Sequence, residues 1–285
     1  MDVSDILIIL LYKIIMVRRS GESSHMKERK RVSIEALRID CQKAEHEIIE
    51  FIKRVVREAN AKGVIVGLSG GIDSSVTVTL CVKALGPEKV LGLLMPDPEI
   101  TPLSDMEDAK KLALKLGIKI YTIPIDAIVK TFLDSIPLEK KERIPIANSR
   151  ARIRMIINYF FANSLDYLVV GTGDRSEALV GYFTKYGDGG VDFLPLVHLY
   201  KTQVRQLGEC LGLPENIVGK PSSPQLWKGQ RATDEIPVDY DTLDMILYAM
   251  FDLKMKDKDI ASELDILLEI VQEVQRRYNK SMHKR

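Results

Sequence analysis

Gly67-Leu68-Ser69-Gly70-Gly71-Ile72-Asp73-Ser74-Ser75 follows the apolar run Val64-Ile65-Val66 and opens a helical pattern. Adjacent glycines let the backbone turn sharply and approach an anion closely. Three serine hydroxyls, with the free N–H groups and positive dipole end of the following helix, make this bend a phosphate cradle. The cradle has no lysine, so the Walker ending Gly-Lys-Ser/Thr is absent, as is Gly-x-Gly-x-x-Gly. Asp73 is an acid in a place where phosphate binds, which makes sense if it holds Mg²⁺ against phosphate oxygens. The plainer reading is a Gly/Ser turn that ends a strand and caps a helix. The order strand, Ser-Gly-Gly-x-Asp-Ser, helix favours the nucleotide.

Working outward, short apolar runs predict strands at Val64–Leu68, Val90–Met95, Ile118–Thr122 and Tyr167–Gly171. Helical spacing predicts helices at Asp73–Leu85, Ser104–Leu116, Ile125–Phe132 and Asn148–Ser164. An earlier helix lies between Asp40 and Lys62, where Ile48, Ile49, Phe51, Ile52, Val55 and Val56 recur at helical spacing. This alternation indicates an α/β fold, an open parallel sheet with helices on both faces. Right-handed crossovers then place the Ser69–Ser75 bend at the carboxyl end of the first strand, where ligands bind in such sheets. After Thr172 come a Gly- and aromatic-rich stretch at 181–198 and a Pro-rich polar one at Lys220–Val238, long enough to order around a ligand. From Asp239 the pattern is helical again, closing with Ile266–Tyr278 and His283-Lys284-Arg285.

Composition sets bounds on function. The chain has 285 residues and a net charge of +1, which gives no nucleic-acid footprint. Cys41, Cys81 and Cys210 are far apart, with no Cys-x-x-Cys pair; a reduced cytoplasmic protein is expected, with neither disulfide frame nor zinc site. Ile6 to Val17 is apolar apart from Tyr12 and Lys13, too short to span a bilayer, and acids rather than a basic region precede it. Residues 1–34 are therefore expected to be a dispensable leader or a misassigned start, with Met16 and Met26 as alternative starts. Residues 35–285 form the single functional domain.

Gly171-Thr172-Gly173-Asp174-Arg175-Ser176-Glu177 follows a predicted strand, as the first bend does. Then come Gly181-Tyr182-Phe183-Thr184-Lys185-Tyr186-Gly187-Asp188-Gly189-Gly190-Val191-Asp192 and Leu194-Pro195-Leu196. The first bend resembles the N-type ATP pyrophosphatases, or PP-loop family, with its Rossmann-like, adenine nucleotide alpha hydrolase-like fold. The second block closely resembles the ammonia-dependent NAD synthetases. That resemblance runs from about Ile48 to Arg285 and includes Ala151-Arg152-x-Arg154-Met155, Tyr200-Lys201-Thr202 and Tyr240-Asp241-x-Leu243-Asp244.

The resemblance implies an ATP-dependent step that adenylates the carboxylate of deamido-NAD and releases pyrophosphate, after which ammonia displaces AMP. Gly67, Leu68, Ser69, Gly70, Gly71, Ile72, Asp73, Ser74 and Ser75 would surround ATP, joined by Thr172, Lys201 and Ser223. Ser223 stands where many relatives have threonine. Asp73 and Glu177 would hold Mg²⁺ and, with Lys201, carry the catalysis. Arg152, Lys185, Asp192, His283 and Lys284 would hold deamido-NAD. Trp227 is read either as a lid over the nucleotide or as a packed aromatic. The relatives imply a homodimer, and the helix Asn148–Ser164, apolar on more than one face, suits that or simple core burial.

Three other functions are weaker. A glutamine-fed enzyme needs a second domain for which the chain has no room, and no cysteine has a nucleophile's context. A tRNA-modifying relative would show paired reactive cysteines or a basic extension. A non-catalytic nucleotide-binding module would keep the glycines and lose the acids and the lysine, yet Asp73, Glu177 and Lys201 are all present.

Overall fold

The structure is a computed structural model that describes residues 32–139 and 142–285. Most of the leader, and with it the alternative starts, lies outside the described residues. Val32, at its inner end, is buried, and its N–H donates to Glu263 at 3.4 Å.

In chain order the elements are α1 (Cys41–Glu58), β1 (Gly63–Gly67), α2 (Ile72–Leu85), β2 (Val90–Leu94), α3 (Leu103–Leu116), β3 (Lys119–Thr122), α4 (Asp126–Asp134), α5 (Arg143–Leu165) and β4 (Tyr167–Val170). They continue with α6 (Arg175–Val180), α7 (Lys201–Cys210), α8 (Glu215–Val218), α9 (Tyr240–Phe251), α10 (Asp257–Leu264) and α11 (Leu268–Lys280). The four strands are parallel in the order β3-β2-β1-β4.

Successive side chains of a strand face opposite ways, so a strand covered on both sides feeds two cores. Val64 and Val66 of β1 join the core under α1, α2, α3 and α7, whereas Ile65 joins the one under α4 and α5. A third core, around Leu243, Ile246, Leu247, Val271 and Val274, belongs to the helical extension and reaches back to Val180 and Tyr200. The expected open parallel sheet with a helical C-terminal part is therefore present.

The long helix starts earlier than its sequence pattern suggests. Asn148 was the expected start, yet α5 begins at Arg143, with Pro145 inside its first turn. First-turn N–H groups have no intrahelical partner, so proline costs nothing there and reads falsely as a breaker.

The expectation of three reduced cysteines is corrected. Cys41, which opens α1, is joined to Cys210, which closes α7, by a disulfide with Cα atoms 6.3 Å apart. Packing of the two helices brings together thiols 169 positions apart, a pairing that spacing alone does not reveal. Cys81 is free and buried in α2, and burial pushes its thiol up to about 12. Closing so long a loop restricts the unfolded chain by about 3–5 kcal/mol. Cys41→Ser should therefore lower the unfolding free energy by roughly that amount in denaturant titration. Dithiothreitol should lower the wild type to the variant's level.

Candidate active site

The strand order reverses between β1 and β4, because the first crossover leaves β1 on one side and β4 returns on the other. At such a switch point the loops beyond the two strands part and leave a crevice. The loop after β1 is the Ser69–Ser75 bend, and the loop after β4 is Gly171–Asp174. Between them opens a cavity of about 420 Å³, bordered by Ser69, Asp73, Thr172 and Glu177 on this side.

A charged centre lies behind its wall. Lys201, the first residue of α7, is fully buried, and its Nζ sits 2.8 and 2.7 Å from the two carboxylate oxygens of Asp73. The same nitrogen is 3.0 Å from Glu177 Oε1 and 2.8 Å from Asp174 Oδ2, with the Tyr240 ring 5.2 Å away. Asp174 is wholly buried, while Asp73 and Glu177 keep about a fifth of their side-chain surface open. Desolvation alone would lower the lysine's pKa, but three carboxylates outweigh it and hold the ammonium well above its usual range. Burial raises Asp174 and Glu177, with Lys201 opposing the shift in each. Three acids on one ammonium leave the centre with surplus negative charge.

Local chemistry fixes each member. Asp174 caps α6: its Oδ1 accepts the Glu177 N–H at 2.8 Å, and Glu177 Oε2 accepts the Asp174 N–H at 3.3 Å. This reciprocal capping box locks the Glu177 rotamer. At the start of α7, Ser176 Oγ accepts the Lys201 N–H at 3.0 Å and Asp244 Oδ2 accepts the Thr202 N–H at 2.8 Å. The Ser176 hydroxyl in turn donates to Asp244 Oδ1, so one buried acid of α9 aims both the lysine and the α6 cap.

The cradle is shaped by its own backbone bonds. Gly70 has φ +77°, and a Cβ there would lie 2.1 Å from the Asp105 carbonyl oxygen, so only glycine fits. Ser74 Oγ donates to Gly71 O at 3.1 Å and Ser75 Oγ donates to the same oxygen at 2.8 Å. These two serines hold the turn; Ser75 is buried and does not border the cavity, whereas Ser69 and Ser74 do. Lys220 clamps the bend from outside, donating to Gly70 O at 2.9 Å and pairing with Asp105 and Asp108 at 2.8 and 2.7 Å.

Residues 45–285 match the family model described as NAD synthase. The chain belongs to the NAD synthase family. It is 51% identical over 249 residues to the NH(3)-dependent NAD(+) synthetase of Staphylothermus marinus, covering 87% of this chain and 90% of that one. Among solved structures it resembles the NMN synthetase of Francisella tularensis, with TM-score 0.77 and 33% identity over 87% of this chain and 97% of the other. The NH3-dependent NAD synthetase of Campylobacter jejuni, solved with nitrate, follows at TM-score 0.74 and 31% identity, over 87% and 96% of the two chains. Members of this family are ligases that form a carbon–nitrogen bond, and ATP is their co-substrate.

Within this NAD synthase fold the site residues expected from the sequence divide into groups. Asp73, Glu177 and Lys201 converge, although Lys201 itself does not border the cavity. Gly67, Leu68, Thr172 and Ser223 border it, whereas Gly70, Gly71 and Ile72 do not. Ser223 Oγ donates to Gln230 O at 2.6 Å and accepts the Gln225 N–H at 3.2 Å, which folds the 222–230 loop into the wall beside Trp227. The Arg143 guanidinium lies 4.7 Å from the Trp227 ring centre. Arg152, Lys185, His283 and Lys284 also assemble. Arg152 Nε donates to Lys185 O at 3.3 Å, Lys185 Nζ to His283 O at 2.6 Å, and Lys284 Nζ to Gly181 O and Phe183 O at 2.8 and 2.9 Å. Asp192 stands apart: its two oxygens accept the Tyr159 hydroxyl at 3.0 Å and the Val169 N–H at 2.7 Å, pinning the loop to β4.

Sequence reasoning passed over Asp174 and Asp244, both inside quoted motifs. Asp174 was signalled by its D-x-x-E spacing at a helix start. Asp244 had no local signal, since its partners come from α6 and α7. Burial raises the Asp244 carboxyl from 3.8 to about 7, with the Ser176 and Thr202 hydrogen bonds opposing. An acid whose pKa is raised on folding binds more protons folded than unfolded, so its contribution is fully present below the unfolded pKa and is lost as pH rises. The window here runs from 3.8 to about 7. Asp244→Asn should flatten the fall in unfolding free energy across that window, read by urea titration at successive pH values.

Proposed function

We propose that the chain joins ammonia to the nicotinate carboxylate of deamido-NAD, driven by cleavage of ATP to AMP and pyrophosphate. The observation that carries this reading is the meeting of Asp73 and Glu177, from separate loops, on one buried ammonium beside a glycine–serine cradle. Mg²⁺ is usually held by one or two carboxylates together with substrate phosphates rather than by an all-protein cage. Among the described residues no cluster of three or more His, Cys, Asp or Glu forms such a cage. Asp73 and Glu177, which border the cavity with surplus negative charge behind them, fit the first pattern and would hold the ion. When bound, it would supply charge neutralisation to the departing pyrophosphate.

The chain's own groups account for the rest. The first N–H groups of α2 have no intrahelical acceptor and face the place where triphosphate would lie, with Ser69 and Thr172 adding hydroxyls. Lys201 fixes the two acids and offsets their repulsion, so its charge reaches the phosphates through them rather than by contact. The Arg152, Lys185 and Lys284 group, drawn from α5, the 181–198 loop and the C-terminal segment, would receive the dinucleotide. In the first step a carboxylate oxygen bonds to the α-phosphorus as the bond to pyrophosphate breaks. In the second, the ammonia nitrogen bonds to the acyl carbon, AMP leaves, and the surplus proton passes to water. Positioning and charge compensation are what such transfers need. The reaction belongs in the cytoplasm, where ATP is supplied, and the disulfide then resembles those of intracellular proteins from hyperthermophiles.

Incubation with ATP, Mg²⁺, deamido-NAD and an ammonium salt should yield AMP, pyrophosphate and NAD in equal amounts. Asp73→Asn should reduce turnover by at least a hundredfold, about 2.7 kcal/mol of barrier, with the thermal unfolding midpoint nearly unchanged. Full activity in that variant, or use of nicotinate mononucleotide in preference to the dinucleotide, would refute the assignment.

We further propose a homodimer. Ile156 and Phe160, one turn apart on α5, are 60% and 69% exposed, and Tyr121 of the edge strand β3 packs its ring 5.4 Å from that of Phe161 beside them. A contiguous apolar face on a helix and a neighbouring strand edge suits a second copy of the chain. Sedimentation should show a dimer for the wild type and a monomer for Phe160→Glu; a wild-type monomer would reject this face as an interface.

A further inference from the structure

Helix α5 brings a cation to the cavity that none of the roles above uses. Arg154 borders the cavity, and its Nε donates to the Met95 carbonyl at 3.0 Å, which fixes the guanidinium plane at the carboxyl end of β2. Among the described residues no carboxylate reaches it at ion-pair distance. Nearby Asp97 is taken by Arg150 at 2.7 Å, and Asp188 accepts the Thr184 N–H at 2.8 Å. The two Nη groups consequently have no acceptor within the described protein. Lys284, the other cation bordering the cavity, already donates to two carbonyls.

A guanidinium keeps its charge and presents its donors as a rigid fork matched to carboxylate and phosphate. Arg154 is half-buried, and the desolvation it does suffer pulls its guanidinium down to about 10 with no ion-pair partner to offset it. Such an arrangement persists where a ligand brings the missing charge. We propose that Arg154 is a substrate-binding residue, its Nη fork taking an oxyanion, phosphate or carboxylate, of a nucleotide bound in this cavity. The identity of the nucleotides rests on the amidation reading; the open fork does not.

Three readouts on the full chain test this: steady-state KM for ATP and for deamido-NAD, calorimetric Kd for each, and the ligand-free unfolding midpoint. Arg154→Met keeps the apolar stem and removes the charge. It should raise KM and Kd for one nucleotide at least tenfold and leave the other within threefold. A shift confined to ATP identifies a phosphate, and one confined to deamido-NAD identifies its carboxylate or phosphates. The unfolding midpoint should stay level or rise, because an unpaired charge has been removed, and Arg154→Lys should recover part of the affinity. Unchanged constants for both nucleotides would overturn the proposal. So would a lowered midpoint with both constants shifted together, which is what a purely structural arginine gives. Calorimetry needs no turnover, so a wild type that binds both nucleotides without forming NAD would sink the amidation reading and still decide the role of Arg154.

Discussion

A lysine ammonium shut off from solvent faces three carboxylates, and the geometry of the whole site depends on that imbalance. One ammonium cannot neutralise three acids, and removing it would strand buried negative charge at a cost of about 3–5 kcal/mol. The fold accordingly holds every member in place through a second contact. Asp174 and Glu177 cap one helix together, Lys201 opens another, and Asp244 ties the two starts to each other. Asp73 arrives on the first turn of α2, carried there by a bend that only glycine can make at position 70. The surplus negative charge that results is a poor stabiliser of the fold, which suits the metal-holding role proposed for it.

The sheet explains why these pieces meet. With the order β3-β2-β1-β4, the chain leaves β1 toward one edge and returns beside it from the other, so the ends of β1 and β4 face a shared crevice. The helical extension does more than cover a surface. Its core includes Val180 and Tyr200, at the end of α6 and immediately before α7, so both elements of the charged centre are seated on it. The segment 281–285 folds over the same place: a Cβ on Gly181 would strike Ser281.

What could be seen in the sequence follows from how local each signal is. The inner strands were legible because each is a short apolar run, β3 (Lys-Ile-Tyr-Thr, largely exposed at the sheet edge) less so, and the cradle because glycine pairs and a helix start are neighbours in the chain. Asp73, Glu177 and Lys201 were legible only through motifs held in order across distant segments, since each alone reads as a solvated charge. Ser75 shows what motif spelling leaves unread: its hydroxyl donates to the Gly71 carbonyl and so holds the turn. Asp192 likewise has a structural role its motif does not spell out, accepting a backbone N–H and the Tyr159 hydroxyl. The disulfide and Asp244 depend on which helices pack together, information that no local window holds.

Two kinds of charge thus border one cavity, and they differ in how they are satisfied. The acids on the β1 and β4 side exceed their lysine, whereas the arginine on α5 exceeds its acceptors. Neither excess is corrected by the described residues, although Asp97 and Asp188 lie near enough to Arg154 to raise its pKa. A cavity polarised in this way favours a ligand that brings a cation to one wall and an anion to the other. A metal–nucleotide complex beside an anionic acceptor has that distribution, and an uncharged metabolite does not. These acids and this arginine are the charges that a metal–nucleotide complex and an anionic acceptor would meet under the proposed reading.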